Sequence, residues 1–311
     1  YDNYFKIEDT KKKTITALNL TRNPDSRTSF LGNKDMFEKY YQKNISDIDK
    51  FKKIAAGFFS INRSCCKKTD GIEDEKELLL KKIKQHKAEG KPVYCLNGKV
   101  VIDLGVKYTK GCVHSDMSDW ITGTVDWVKQ HPDVMLLIKP HPHENLKELT
   151  LTSEKIETLR DIIKTDIPDN VIFLDPNMFM LSELVSYIDL LILWNGTSAL
   201  EMAAQGVPVL MADLCGHFDY PIGFYKPNNL EDYNSVLESP DNINIPDDFQ
   251  ERAIMFLNYM GSDDLCIPNP YSTTSSLNMD QLKTHINGEA VGKYIEHGDT
   301  ELTRLFESLI Y

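Results

Sequence analysis

A histidine held between two prolines, Pro140-His141-Pro142, follows directly on the apolar run VMLLIK of 134–139. Proline cannot continue a strand ladder, so a strand ends here and leaves Lys139 and His141 at its carboxyl end. Further along, DLLILW (189–194) runs into Asn195-Gly196-Thr197-Ser198, with Glu201 three residues beyond Ser198 and then Gly206 and Pro208. The spacing of Ser198 and Glu201 is that of a capping box, and Gly206 stops the helix it opens. The first amides of a helix lack internal partners and, with the helix dipole, favour an anion. Such a helix start facing an imidazole and a lysine suits a nucleotide phosphate. It also suits stabilisation of the negative charge that develops when that phosphate leaves.

Each of these residues also has a structural reading. A histidine beside prolines can be a half-exposed strand terminator, Lys139 can close its strand in solvent, and Ser198 and Glu201 can form a cap alone. Gly98 and Lys99, after the run KPVYCLN, make either a phosphate-approach loop or a plain turn. Asp175 and Pro176 close the apolar run NVIFL. Trp194 packs or stacks beside the turn, and His217 and Asp219 of GHFDYP either line the site or fill a loop.

Alternating elements must position these groups. Strands are expected at 91–99, 134–139, 170–174, 189–195 and 208–213. Helices are expected from Ser115 or Asp116 onward and at 152–164, 180–188 and 198–205. This alternation predicts an α/β fold with a parallel sheet covered on both faces, whose carboxyl edge carries His141 and the 195–198 turn. Met117, Trp120, Ile121, Val125 and Val128 share one helix face and belong to the core. Before this region, TITALNL (14–20) reads as a strand, and 36–59 and 73–87 as helices. After it, 229–240 and 248–260 read as helices, PNPYSTTSS as a loop, and 279–311 as further helices. Three domains follow: an amino-terminal domain over 1–88 that is reduced or lacks its beginning, a nucleotide-binding Rossmann-like domain over 89–245, and a carboxy-terminal helical segment over 246–311 that packs back on the first.

The 311 residues are 41% apolar and carry a net charge of −12. That balance disfavours nucleic acid and anionic surfaces as general partners, while leaving a local phosphate site open. The lysine clusters at 11–13 and 81–87 suit solvated faces or a weak contact with an anionic acceptor or membrane. No run reaches the roughly 18 apolar residues of a spanning helix. The six cysteines show neither a C-x-x-C pair nor zinc-type histidine spacing, so reduced thiols and a cytoplasmic setting are expected. No D-x-D-type metal site stands in a matching context. The chain begins at Tyr1 without a charged-then-apolar leader, which suits one module of a longer protein.

Taken together, DWVKQHPDVMLLIKPHPHE, NVIFLDP and SYIDLLILWNGTSALEMAAQGVPVLMAD resemble the carboxy-terminal half of capsule polysaccharide biosynthesis proteins, bacterial glycosyltransferases of GT-B type. The resemblance covers roughly residues 90–275 and rests on the order K-x-H-P, proline-closed strand, N-G-T-S-x-x-E, G-x-P. It implies a Rossmann-like domain that binds a nucleotide sugar and an amino-terminal domain that binds a polysaccharide or lipid-linked glycan acceptor. It further implies that His141 contacts the donor phosphate, that Thr197 and Ser198 hold phosphate oxygens, that Glu201 bonds ribose hydroxyls and that the segment from Asp175 passes the base. Similar Kdo and sialyl transferases pair a His-Pro motif with a Ser/Thr motif and use CMP-linked sugars; UDP- or GDP-linked donors stay open.

The expected function is metal-independent glycosyl transfer to a capsule or other surface polysaccharide, with no cofactor besides the donor. The protein would act in the cytoplasm or peripherally at the inner face of the plasma membrane, in contact with capsule assembly. The acceptor hydroxyl needs a base, and Asp25, between Arg22 and Arg27, is the candidate. A CDP-linked polyol-phosphate transferase and a non-catalytic nucleotide-sugar-binding module are the alternatives.

Overall fold

Apolar strands between Val93 and Met211, separated by helices or turns, build a five-stranded parallel sheet. The computed structural model describes residues 2–8, 11–18, 34–59, 72–101, 106, 109–145, 158–163, 166–214, 220–260, 262, 267–268, 272–275 and 283–298. In chain order these form β1 (Asp2–Glu8), β2 (Lys11–Leu18), α1 (Lys34–Asn44), α2 (Ile48–Phe59), α3 (Ile72–Ala88), β3 (Val93–Asn97), α4 (Met117–Lys129) and β4 (Met135–Lys139). Then come α5 (Leu159–Ile162), β5 (Val171–Phe173), β6 (Leu190–Leu193), α6 (Ser198–Ala203), β7 (Val209–Met211), α7 (Leu230–Glu238) and α8 (Phe249–Tyr259). The last are β8 (Ile267–Pro268), β9 (Ser272–Ser275), β10 (Lys283–Ile286) and α9 (Gly288–His297).

The chain divides into two compact units, 62–253 and 1–61 joined by 254–311. In the first, the sheet order is β5-β4-β3-β6-β7. Every residue of β4, β6 and β7 is buried, as a sheet covered on both faces requires. The parallel sheet expected from the alternation is therefore present. The order reverses direction between β3 and β6, which makes the carboxyl end of that pair the switch point at which open α/β sheets bind ligands.

Polar side chains lock the layers together. Asp116 caps α4 by accepting from the Asp119 amide, as the sequence pattern suggests. Trp120 Nε1 donates to Tyr233 Oη at 3.0 Å, Thr124 Oγ1 shares a 2.7 Å bond with the same phenol, and Tyr94 Oη donates to Leu237 O. These bonds satisfy wholly buried groups and tie α7 to α4 and β3. Asn170 Nδ2 lies within 3.1 Å of the Val128, His131 and Val134 carbonyls, closing the end of α4 against the start of β5. At the amino edge of the sheet, Asp189 accepts from Val93 N and from Lys87 Nζ on α3.

The second unit holds the antiparallel sheet β1-β2-β8 and the hairpin β9-β10. Phe37, Tyr40, Phe256 and Tyr259 form its aromatic cluster, with the Phe37 and Phe256 rings 5.0 Å apart. Two local expectations change. Residues 272–275, read as loop, and 283–286, read within a helical tail, pair as strands because Ser-Thr-Thr-Ser and Lys-Thr-His-Ile suit a ladder once brought opposite each other. Around 180–188 only a 3-10 turn, Leu181–Leu184, forms, with Glu183 accepting from the Met180 amide. Of the helix expected at 152–164, the described part is α5 alone.

Candidate functional site

The register of the sheet brings the predicted residues to one edge. Asn97, the last residue of β3, pairs with Lys139 of β4 on one side and with Leu193 of β6 on the other. Everything that follows these three positions therefore emerges at the same level: Gly98-Lys99, Pro140-His141-Pro142 and Trp194 to Ser198. The β4 and β6 ends are separated by two strand spacings, about 10 Å, with the β3 end between them.

At the centre, Asn97 Nδ2 donates to Ser198 Oγ at 3.2 Å, bridging the switch point. Gly196 has φ +139°, a conformation that side chains rarely tolerate, and a Cβ placed there would lie 3.9 Å from Lys99 Cε. The Lys99 side chain thus runs alongside the 195–198 turn. The structure brings together Gly98, Lys99, Gly196, Thr197 and Ser198, with Lys139 and His141 on the neighbouring strand. Gly98 donates its amide to Lys139 O at 2.9 Å, and its missing side chain leaves room for Leu159 of α5.

Lys139 is 4% exposed. Its charge counteracts the burial that pushes the Cys95 thiol up to about 12, which leaves that thiol inert near neutral pH. Neither Cys95 nor Cys112 forms a disulfide, and Cys112 Sγ donates to Asp213 O at 3.0 Å. His141 is half-buried, and its carbonyl accepts from the Glu144 amide at 2.9 Å in the turn that Pro142 opens. Asp175 is exposed and accepts from the Asn177 amide at 2.8 Å, while Pro176 beside it is buried.

The helix start differs from the expected capping box. Thr197, in helical backbone geometry, is the residue before α6 and makes no side-chain cap bond; Ser198 is the first helical residue, with its hydroxyl turned to Asn97. The strained Gly196 turn brings the chain into helical geometry one residue early, so Ser198 is not placed to cap. Ala199 donates to Gly196 O, and Leu200 and Glu201 to Thr197 O, so these three amides are paired within the helix start. Glu201 lies near Tyr220, whose hydroxyl is raised first by burial and then by the Glu201 charge.

Asn195 is 2% exposed, and its Nδ2 donates to Asp213 Oδ2 at 2.6 Å. Asp213 is fully buried, and Lys226 Nζ lies 3.6 Å from its Oδ1. This buried network sets the turn from beneath. Trp194, also fully buried, donates Nε1 to Thr109 Oγ1 at 2.8 Å and packs 5.8 Å from Trp120. Asp25, His217 and Asp219 lie outside the described residues.

Sequence reasoning missed Asn97, Glu144 and Asp213. A polar residue ending an apolar strand was the signal for Asn97 and Asp213, and Glu144 stands inside the PHPHE motif. Their partners, Ser198, Leu159 and Asn195, are distant in sequence, so only the fold reveals the pairing. No group of three or more histidine, cysteine, aspartate or glutamate side chains able to hold a metal occurs among the described residues.

Comparison with known proteins gives no matching family model and no matching curated sequence. Among solved structures, the chain is similar to a UDP-GlcNAc 2-epimerase from Neisseria meningitidis bound to UDP-GlcNAc, at 15% identity and a TM-score of 0.34. That match covers 61% of this chain and 50% of the epimerase, so the chain spans half the length of that protein. It is also similar to KpsC of Thermosulfurimonas dismutans, a β-Kdo 2,7-transferase, at 14% identity and a TM-score of 0.31, over 80% of this chain and 68% of that one. The functional reading therefore rests on the site's own residues. No helix among the described residues is long and apolar enough to cross a membrane.

Proposed function

We propose that this chain is a glycosyltransferase of GT-B type that moves a sugar from a nucleotide-linked donor to a capsule or other surface polysaccharide, or to its lipid-linked precursor. The observation that carries the reading is the meeting at one sheet edge of Lys139 and His141, Gly98 and Lys99, and the Gly196-Thr197-Ser198 turn, bridged by Asn97 and Ser198. These groups supply positive charge and hydrogen-bond donors to a phosphate without a metal ion. The region 89–245 is the donor side. The acceptor side belongs to the other compact unit, 1–61 with 254–311.

In the reaction, the bond from the sugar's anomeric carbon to the phosphate oxygen breaks with its electron pair going to the nucleotide. A bond from the acceptor oxygen to that carbon forms, and the hydroxyl proton passes to a base. His141 and Lys99 offset the charge growing on the leaving phosphate, and Thr197 and Ser198 orient its oxygens. In this reading Glu201 bonds the ribose hydroxyls, and Asp175 and Pro176 border the base. Asn195 acts through the turn it supports, since its amide is held by Asp213. Asp25 is the proposed base. The protein would work in the cytoplasm or at the inner face of the membrane.

The test is a melting-temperature screen with CMP, CDP, UDP and GDP, followed by donor hydrolysis and product analysis. Stabilisation by one nucleotide, with release of the free sugar from its donor, is the expected result. Absence of stabilisation by every nucleotide would sink the donor-site reading. Binding without turnover, given a defined acceptor, would favour the non-catalytic module, and release of a polyol phosphate from a CDP-linked donor would favour the phosphotransferase.

A further inference from the structure

The turn that carries His141 is anchored at a second point, through Glu144. Its amide donates to His141 O at 2.9 Å, closing the turn, and its Oε1 accepts from Leu159 N at 2.6 Å. Leu159 is the first residue of α5, fully buried, and its side chain occupies the place that a Gly98 side chain would take. The start of α5 is itself closed by Thr158 and Asp161, whose side chains satisfy each other's amides. One carboxylate thus links the end of β4 to a capped helix start that rests against the end of β3.

We infer that Glu144 is a positioning residue for His141: its carboxylate, by gripping the Leu159 amide, holds the Pro140-His141-Pro142 turn in register with the Gly98-Lys99 loop. The inference rests on the proposed role of His141 and deepens it. The grip depends on the reach of the side chain rather than on its charge. A glutamine keeps an acceptor oxygen at the same distance, whereas an aspartate keeps the charge and falls one methylene short. Burial supports the distinction, because it disfavours the ionised carboxyl and raises its pKa, with the Leu159 amide acting in the opposite sense and Asp161 adding to the rise. The linkage follows from that sign. A carboxyl whose folded pKa is raised contributes stability below its unfolded pKa and loses it as pH rises through the folded value, so ionisation of Glu144 at neutral pH costs the fold stability, a cost that the Leu159 amide partly offsets.

The experiment compares wild type, Glu144→Gln, Glu144→Asp and Glu144→Ala in two readouts. The first is the imidazole resonance of His141 in histidine-labelled protein, assigned with His141→Gln, which needs no activity. The second is kcat for hydrolysis of the nucleotide sugar whose nucleotide stabilises the wild type. Glu144→Gln should keep the wild-type resonance and a kcat within about twofold. Glu144→Ala and Glu144→Asp should shift the resonance and lower kcat by about 10- to 100-fold, the scale on which small misplacements of a reacting group act. An unshifted His141 signal in Glu144→Asp overturns the inference, and so does a Glu144→Gln protein as impaired as Glu144→Asp. Should Glu144→Ala fail to fold, the Gln and Asp pair decides alone. If the wild type binds no nucleotide, the transferase reading falls while the resonance still judges the positioning claim.

Discussion

His141 is the residue on which the proposed chemistry turns, because its flanking prolines prevent the strand from continuing past it and leave it at the sheet's edge. Replacing it with alanine should lower donor turnover by about 10²-fold or more while the melting temperature stays near that of the wild type. A second histidine obeys different physics. His114 is buried with its ring edge-to-face against Tyr233 at 5.0 Å, and its Nδ1 has no hydrogen-bond partner among the described residues. Burial lowers its pKa, with the Asp119 charge partly opposing. The unfolded chain therefore takes up that proton more readily, so the stability contribution is complete above the ordinary histidine value of about 6.5 and is lost as pH falls through the lower folded value. Wild type should lose more stability between pH 7 and pH 5 than His114→Gln, as read by urea unfolding at both pH values. The His141 motif was legible from its prolines. Nothing in the spacing around His114 separated it from a surface histidine, since its burial depends on Tyr233 from a distant helix.

At the scale of elements, two contacts govern the geometry of the sheet's carboxyl edge. The β3 end sits against α5 only because residue 98 has no side chain; a methyl group there would overlap Leu159 Cδ1. Gly98→Ala should cost about 1–3 kcal/mol by overpacking, measured by chemical denaturation, and it should weaken nucleotide stabilisation in the same protein. The β6 turn rests on the 2.6 Å bond from Asn195 to the buried carboxylate of Asp213. Asn195→Ala removes that donor and should cost about 2–3 kcal/mol, with a recovery of part of that loss in the double variant Asn195→Ala, Asp213→Ala. Gly98 and Asn195 both stood out in the sequence as ligand candidates. Their structural partners, Leu159 and Asp213, did not, because neither lies within the local window in which spacing can be read. The expected cap at Ser198 failed for a related reason. Spacing of Ser198 and Glu201 describes an isolated helix, whereas a hydroxyl next to the β3 end has Asn97 as a competing partner.

For the whole molecule, a ligand that binds only the folded state adds stability by mass action, about 2.7 kcal/mol at a hundredfold excess over Kd. For a unit the size of residues 62–253 that corresponds to a rise of roughly 5–10 °C in melting temperature, and the unit's transition should respond to the nucleotide while His141→Ala keeps part of the shift and Lys99→Ala keeps less. The sequence alone determined the class of the fold, since buried-type strands alternating with amphipathic helices can satisfy their backbone and cover their apolar faces in few ways other than a parallel sheet. It also determined which residues stand at strand ends, because proline, glycine and aspartate interrupt a ladder locally. Tertiary structure decided the rest: the order β5-β4-β3-β6-β7, the bridge of Asn97 to Ser198, and the grip of Glu144 on Leu159. Strand order and contacts between distant segments depend on how whole faces pack, and no local pattern of residue types encodes that.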